Sequence, residues 1–348
     1  MPHDCSQPLL QVLSGKPSKT HPIWMMRQAG RHLPEYLEVR KTTKNFIDFC
    51  LSPEKASEVT LQPIERYGMD GAILFADILL IPLALGRRVD FIKGKGPQLD
   101  PINVSDIAKL ELTGSADRLS PVYETVSRVR SAMPDKTTLI GFCGGAWTVA
   151  TYMIEGEGSP KKEVAKRFAY ENPEDMDRLL EVIVRASADY MIEQARAGAQ
   201  VLKIFESWAE NLSPHLFDRL VIKPTQLLIK LIRDAGIDVP IITFPRGCGL
   251  NLKTFAAQID SQAIALGTDV SITDARAMIG PDRCLQGNLD PLALRIGGEV
   301  LRQAVDRVLV DIKGPHIFNL GHGVMPDVKI ENVHAVINHV RTGHGDYV

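Results

Sequence analysis

Along the chain, short apolar or β-branched runs are each followed by a longer stretch whose apolar residues recur at helical spacing, the pattern of βα units. The runs fall at 22–26 (PIWMM), 71–75 (GAILF), 138–142 (TLIGF), 200–204 (QVLKI), 240–244 (PIITF), 263–266 (AIAL), 283–285 (RCL) and 316–319 (HIFN), which makes eight. Helices are expected at 53–67, 117–132, 173–198, 215–234, 297–311 and 330–341. The clearest is 173–198, where Leu179, Val182, Ile183, Ala186 and Tyr190 form an apolar stripe and Gly198 stands at the stop position. Eight strands alternating with helices, with no linker between them, predict a single α/β domain: a (β/α)8 TIM barrel with its active site at the C-terminal mouth of the strands. That domain is expected to span 1–348, with an ordered core of about 8–341. Between the second and third runs, VDFIKGKGPQLDP carries the Gly and Pro punctuation of a hairpin outside the barrel, and the polar tail RTGHGDYV is expected to fray.

Composition narrows the function classes. A chain of 348 residues with 45% hydrophobic and 24% charged residues can bury a full core, so disorder is excluded as a default. The net charge of −2 and the lack of a basic stripe argue against a nucleic-acid partner. No basic segment followed by an apolar run opens the chain, and no stretch approaches the ~18 apolar residues of a membrane span, so a cytosolic protein without a membrane partner is expected. Cys5, Cys50, Cys143, Cys248 and Cys284 are widely spaced without a C-x-x-C pair, which points to reduced thiols and no metal site.

In a barrel of this type, chemistry sits on the loops that follow the strands. Those loops carry Arg27-Gln28-Ala29-Gly30-Arg31, Ala76-Asp77, Cys143-Gly144-Gly145-Ala146-Trp147, Phe205-Glu206-Ser207, Pro245-Arg246-Gly247, Gly267-Thr268-Asp269, Gln286-Gly287-Asn288 and Gly321-His322-Gly323. Several cations, one early acid and glycines that allow close backbone approach imply an anionic ligand. On a helical turn Arg27 and Arg31 would share a face and fork two carboxylates; alternatively they pair with Glu35 and Glu38 on a solvated surface. Asp77 closes an apolar strand, where it is either functional or a buried partner for an arginine or a helix cap. Flanked by glycines, His322 is an exposed imidazole on a flexible loop, either a ligand contact or a plain loop residue. Helical spacing alone makes Tyr152 a core residue, and Ser207 lacks the surroundings of a hydrolase nucleophile.

Taken together, these segments resemble the uroporphyrinogen decarboxylase family. PIWMMRQAGR at 22–31 is similar to the family's arginine-containing signature, and GFCGGAWTVATYMIEG at 141–156 to its second signature. FADILLIPLALG at 75–86, FES at 205–207, QGNLDP at 286–291 and NLGHG at 319–323 match further family segments in order. Two positions depart: Ala146 stands where proline is usual, and Val270 where a tryptophan often follows the sixth-strand aspartate. The resemblance implies a homodimeric, cofactor-independent barrel that removes CO2 from the four acetate side chains of uroporphyrinogen III, giving coproporphyrinogen III for haem synthesis. It implies that Arg27 and Arg31 bind substrate carboxylates, with backbone help from Gln28, Ala29 and Gly30. It further implies that Asp77 accepts the pyrrole N–H groups, that Tyr152 and Ser207 hold the departing acetate beside Phe205, and that His322 contacts a propionate. Asp77, Arg27 and Tyr152 form the implied catalytic set; Arg27 is the expected proton donor, although a guanidinium with a pKa above ~12 is a poor acid. Two rival readings are a zinc-dependent methyltransferase on a related barrel, which would need a His/Cys ligand set, and a tetrapyrrole carrier that has lost turnover.

Overall fold

A computed structural model of the protein describes residues 7–16, 18–92 and 94–347; Cys5 lies outside the described residues. Seven parallel strands form one curled sheet: β1 (Gly71–Ile73), β4 (Thr138–Gly144), β5 (Val201–Glu206), β6 (Ile241–Pro245), β7 (Ala263–Ala265), β8 (Cys284–Leu289) and β9 (His316–Leu320), each hydrogen-bonded to the next in that order. They are buried along nearly their whole length, as strands covered on both faces must be. Outside the sheet, β2 (Val89–Ile92) and β3 (Gly96–Leu99) pair antiparallel as the expected hairpin.

The first apolar run corrects the sequence expectation. It is not a strand: Ile23 makes one parallel bridge to Phe318. The Met25 and Met26 N–H groups go to the side chains of Gln28 (3.0 Å) and Asn319 (3.1 Å) instead of to a ladder. The segment nevertheless fills the eighth place. Phe318 N–H donates to the Pro22 carbonyl at 2.8 Å and Asp70 N–H to the Ile23 carbonyl at 2.9 Å, which joins both edges of the sheet. The architecture is therefore the expected α/β barrel, closed by a bridge in place of an eighth strand.

Helices Pro53–Tyr67, Ser120–Ala132, Pro173–Arg196, Lys223–Asp234, Gly298–Asp311 and Ile330–Thr342 occupy the segments where helical spacing was read. Among the described residues none is long and apolar enough to cross a membrane. The tail departs from the expected fraying: the Tyr347 hydroxyl meets His339 Nδ1 at 2.7 Å and its ring packs on that imidazole, folding the segment back onto the last helix.

Inside the barrel, Lys203 on β5 is fully buried and its Nζ has no hydrogen-bond partner. It lies 5.3 Å from the Trp24 ring, 5.0 Å from Phe205 and 5.3 Å from Phe244. The closing segment and β5 stand on opposite sides of the ring of strands, so this contact runs across the interior. Burial pushes the amine well below its ordinary pKa. Unfolded, the amine is protonated below about pH 10.4. The unfolded state therefore binds the additional proton, and stability rises with pH until that value is passed. Lys203→Met should raise stability at pH 7 by ~1–3 kcal/mol and remove this rise, as read by urea denaturation at several pH values.

Candidate active site

The loop after the closing segment is bolted down before it reaches the mouth. Trp24 Nε1 donates to Gln286 on β8 at 3.2 Å, and Val324 N–H donates to the Met26 carbonyl at 2.8 Å. Gln28 is buried: its Nε2 donates to the Gly71 carbonyl at 2.9 Å and its own N–H to Met25 at 3.0 Å. Gln28 thus ties the loop to β1, and the groups facing outward are those of Arg27, Ala29, Gly30 and Arg31. The helical turn on which Arg27 and Arg31 would share a face does not form: Arg27 takes a φ of +61° and the helix begins only at Pro34. That left-handed conformation costs a non-glycine residue about 1–2 kcal/mol, a strain that the bolted loop sustains.

The surface-pair alternative for the arginines is not what the structure contains. Glu35 is taken by Arg66 in a two-pronged pair at 2.6 and 2.9 Å, and Glu38 by Lys41 at 2.7 Å. Arg27 and Arg31 are exposed, and among the described residues neither has an ion pair. The Arg27 side chain lies across Gly323, where an added Cβ would come within 2.4 Å of its Cδ. Only glycine permits that approach, and it brings the guanidinium beside His322.

Asp77 sits in the loop between β1 and the helix Leu80–Ala84, four residues beyond the strand end. Its Oδ1 accepts the Leu79 N–H at 2.9 Å, an Asx-type turn that fixes the side chain and leaves Oδ2 without a donor among the described residues. The residue is half-buried, and desolvation pushes its carboxyl up to about 6, against the Leu79 N–H and the nearby Arg27 charge, which both favour ionisation. Burial also pushes the Tyr152 hydroxyl up, with Asp77 adding to the effect and Arg27 and Arg246 opposing it. On its helix, Ala146–Glu155, every residue is buried except Tyr152 and Glu155, so Tyr152 faces the mouth and not the core. Trp208 packs edge-on against it at 5.1 Å.

His322 is half-buried, not freely exposed, and its Nδ1 accepts the Gly323 N–H at 2.6 Å. That bond puts the remaining proton on Nε2. Burial, with help from Arg27 and Arg246, lowers its pKa to about 4, so at neutral pH it is an uncharged donor. Phe205 forms part of the wall, edge-on to Phe142 at 5.4 Å. The Ser207 carbonyl accepts Arg246 Nε at 2.8 Å. Arg27, Asp77, Tyr152, His322 and Arg246 are thus electrostatically coupled, whereas Arg31 acts on Tyr36 at the rim.

Two residues to which sequence reasoning gave no role organise this set. Glu206 is buried, its carboxyl pushed up to about 8 by desolvation, and it caps the helix that carries Tyr152. It accepts the N–H groups of Trp147 (3.2 Å) and Thr148 (2.8 Å) and the Thr148 hydroxyl. A Cβ on Gly145 would lie 2.2 Å from its Oε2, which accounts for the glycine there. Because Glu206 secures this first turn, Ala146 in place of proline leaves the helix start intact, a position where proline would cost no hydrogen bond. Val270 is likewise held through its carbonyl, which accepts Asn288 Nδ2 at 2.7 Å whatever its side chain. The second residue is Arg246, whose position after the fifth run was visible but whose proximity to Tyr152 and His322 was not.

The family model described as uroporphyrinogen decarboxylase (URO-D) matches residues 5–343. Proteins named uroporphyrinogen decarboxylase from Maricaulis maris and Hyphomonas neptunium are 50% and 51% identical, each over 96% of this chain and 97% of the relative. One from Agrobacterium fabrum is 47% identical over 97% of this chain and 98% of its own length. Among solved structures, a methyltransferase from Methanosarcina mazei shares the fold with a TM-score of 0.78 at 18% identity, over 96% of this chain and 97% of that one. A B12-independent methionine synthase from Shewanella sp. W3-18-1 is a more distant likeness in fold, with a TM-score of 0.54 at 10% identity, covering 83% of this chain and 85% of that one. With a family model spanning nearly its whole length and relatives at half identity, this chain belongs to the uroporphyrinogen decarboxylase family.

Proposed function

We propose that the protein removes CO2 from the four acetate side chains of uroporphyrinogen III, yielding coproporphyrinogen III. The observation that carries this reading is the half-buried Asp77 carboxylate, one oxygen fixed and the other open, set among Arg27, Tyr152 and His322. Loss of CO2 from an acetate on an electron-rich pyrrole leaves an electron pair with nowhere to go. A proton added to the ring carbon beside the acetate-bearing one converts the ring to an iminium. The bond to the carboxylate then breaks, its electron pair neutralises the iminium, and CO2 leaves. A second proton ends on the methylene carbon while the ring proton departs, so each acetate consumes one proton net and becomes a methyl group.

Ionised Asp77 accepts the pyrrole N–H groups and favours the iminium over the neutral ring, which is the differential stabilisation that catalysis requires. Arg27 and Arg31 hold substrate carboxylates, with Ala29 and Gly30 offering backbone N–H groups and Gln28 holding the loop. Tyr152 and Ser207 position the departing acetate against Phe205, and neutral His322 donates Nε2–H to a propionate. The family resemblance adds a homodimer needing no metal, pyridoxal or flavin, and the sequence pattern adds a cytosolic location and one domain over 1–348 with an ordered core of about 8–341. The continuous hydrophobic core supports that single unit.

The test is anaerobic incubation of chelator-treated protein with uroporphyrinogen III, with products weighed after oxidation. Successive losses of one to four CO2 are expected. Tight binding without loss of mass would make the protein a carrier, and turnover that chelation abolishes would contradict metal independence.

A further inference from the structure

Beside the residues already given roles stands a three-membered charge cluster. Lys162, fully buried and held at a φ of +51°, donates from Nζ to Glu210 Oε1 at 2.7 Å and to the Pro160 carbonyl at 3.1 Å. Its Nζ also lies 5.0 Å above the Trp208 ring, the same ring that packs on Tyr152. Arg246, across from it, approaches Glu210 only at 3.8 Å, too far for a hydrogen bond. Among the described residues Arg246 has one good bond, from Nε to the Ser207 carbonyl, and that bond fixes the guanidinium without neutralising it. The side chain is 30% exposed and close enough to Tyr152 and His322 to bias both. Asp269, which also crowds Gly267, forms no ion pair with it.

One carboxylate between two cations leaves a net positive charge, and the distances decide where it resides. Glu210 hydrogen-bonds to Lys162, so Arg246 is the less compensated cation: its only ion pair among the described residues is the long 3.8 Å approach to Glu210, and no carboxylate lies at hydrogen-bond distance from its terminal nitrogens. A planar fork in that state is suited to a ligand carboxylate.

We infer that Arg246 binds a carboxylate of the substrate on the side of the mouth opposite Arg27, and that Lys162 is a positioning residue that keeps Glu210 from occupying Arg246. The inference rests on the tetrapyrrole reading above, because an octacarboxylate presents acid groups around its whole rim and needs cations on more than one side of the pocket. It gives a role at the mouth to a lysine that also caps the helix Glu163–Glu171 from a left-handed conformation.

The experiment is steady-state kinetics with uroporphyrinogen III on Arg246→Gln, Arg246→Lys, Lys162→Met, and the double variants Lys162→Met/Arg246→Gln and Lys162→Met/Glu210→Gln. Arg246→Gln should raise KM about 10- to 30-fold, with kcat within about threefold of wild type, and Arg246→Lys should recover part of that loss. Lys162→Met should raise KM several-fold by freeing Glu210 to pair with Arg246, yet add less than twofold in the Arg246→Gln background. Removing both members of the pair, in Lys162→Met/Glu210→Gln, should restore KM to near wild type. This variant also leaves no unpaired buried charge, so it tests the idea even where Lys162→Met does not fold. An unchanged KM in Arg246→Gln, or no restoration in Lys162→Met/Glu210→Gln, would overturn the inference while wild-type turnover left the decarboxylase reading intact. A wild-type protein without turnover would instead defeat that reading.

Discussion

Asp77→Asn should lower kcat for uroporphyrinogen by about 10²- to 10³-fold, the ~3–4 kcal/mol typical of losing one preorganised group at a developing charge. Asparagine matches the carboxylate in size and keeps an oxygen for the Leu79 N–H, so the loop should hold its shape. What disappears is the negative charge, which matters more to the iminium than to the neutral substrate. Binding measured anaerobically by fluorescence quenching should therefore change little, and a matching loss in affinity would refute the role. The pH dependence follows from the same group. With its carboxyl pushed up to about 6, Asp77 is ionised above that value, so kcat/KM should fall as pH drops through about 6. In the bound state, pyrrole N–H donors favour the carboxylate, so the acid limb of kcat should lie lower than that of kcat/KM. The raised pKa also carries a stability consequence. The folded state holds this proton more tightly than the unfolded chain, so above pH 6 Asp77 opposes folding, and Asp77→Asn should raise Tm slightly while abolishing activity.

Arg27→Ala should reduce kcat/KM by about 10²-fold, in line with removing a charge-assisted bond worth roughly 1.5–3 kcal/mol. A second effect separates this from simple loss of binding. Arg27 holds down the pKa of both Asp77 and His322, so its removal should move the acid limb of kcat/KM upward from about 6. Gly323→Ala offers a comparison in which the charge survives but its place does not, since the new methyl would overlap Arg27 Cδ at 2.4 Å. It should reproduce part of the loss in kcat/KM. A full wild-type rate in Gly323→Ala would show that the guanidinium works from a position other than the one it occupies here.

Much of the barrel was legible because periodicity reports burial directly. Strands covered on both faces read as short apolar runs, and surface helices as stripes, as in Pro173–Arg196. The first run misled for a physical reason: PIWMM is apolar because it is buried, yet its N–H groups are claimed by Gln28 and Asn319 side chains, which no local pattern reveals. Arg27 and Arg31 were visible as residues, but not that Glu35 and Glu38 would be claimed elsewhere, by Arg66 and Lys41 respectively.

The sequence alone determined the order of the seven sheet strands and of the main helices, and, through its signatures, the family. Each of these depends on residue type and local spacing. Only the tertiary structure decided how these groups are paired: that Asp77 accepts the Leu79 N–H through one oxygen, that Glu206 caps the helix carrying Tyr152, and that Arg246 meets Glu210 only at 3.8 Å. Burial, pKa and pairing arise from residues far apart along the chain, since desolvation and Coulomb forces act through space and leave no mark on sequence spacing.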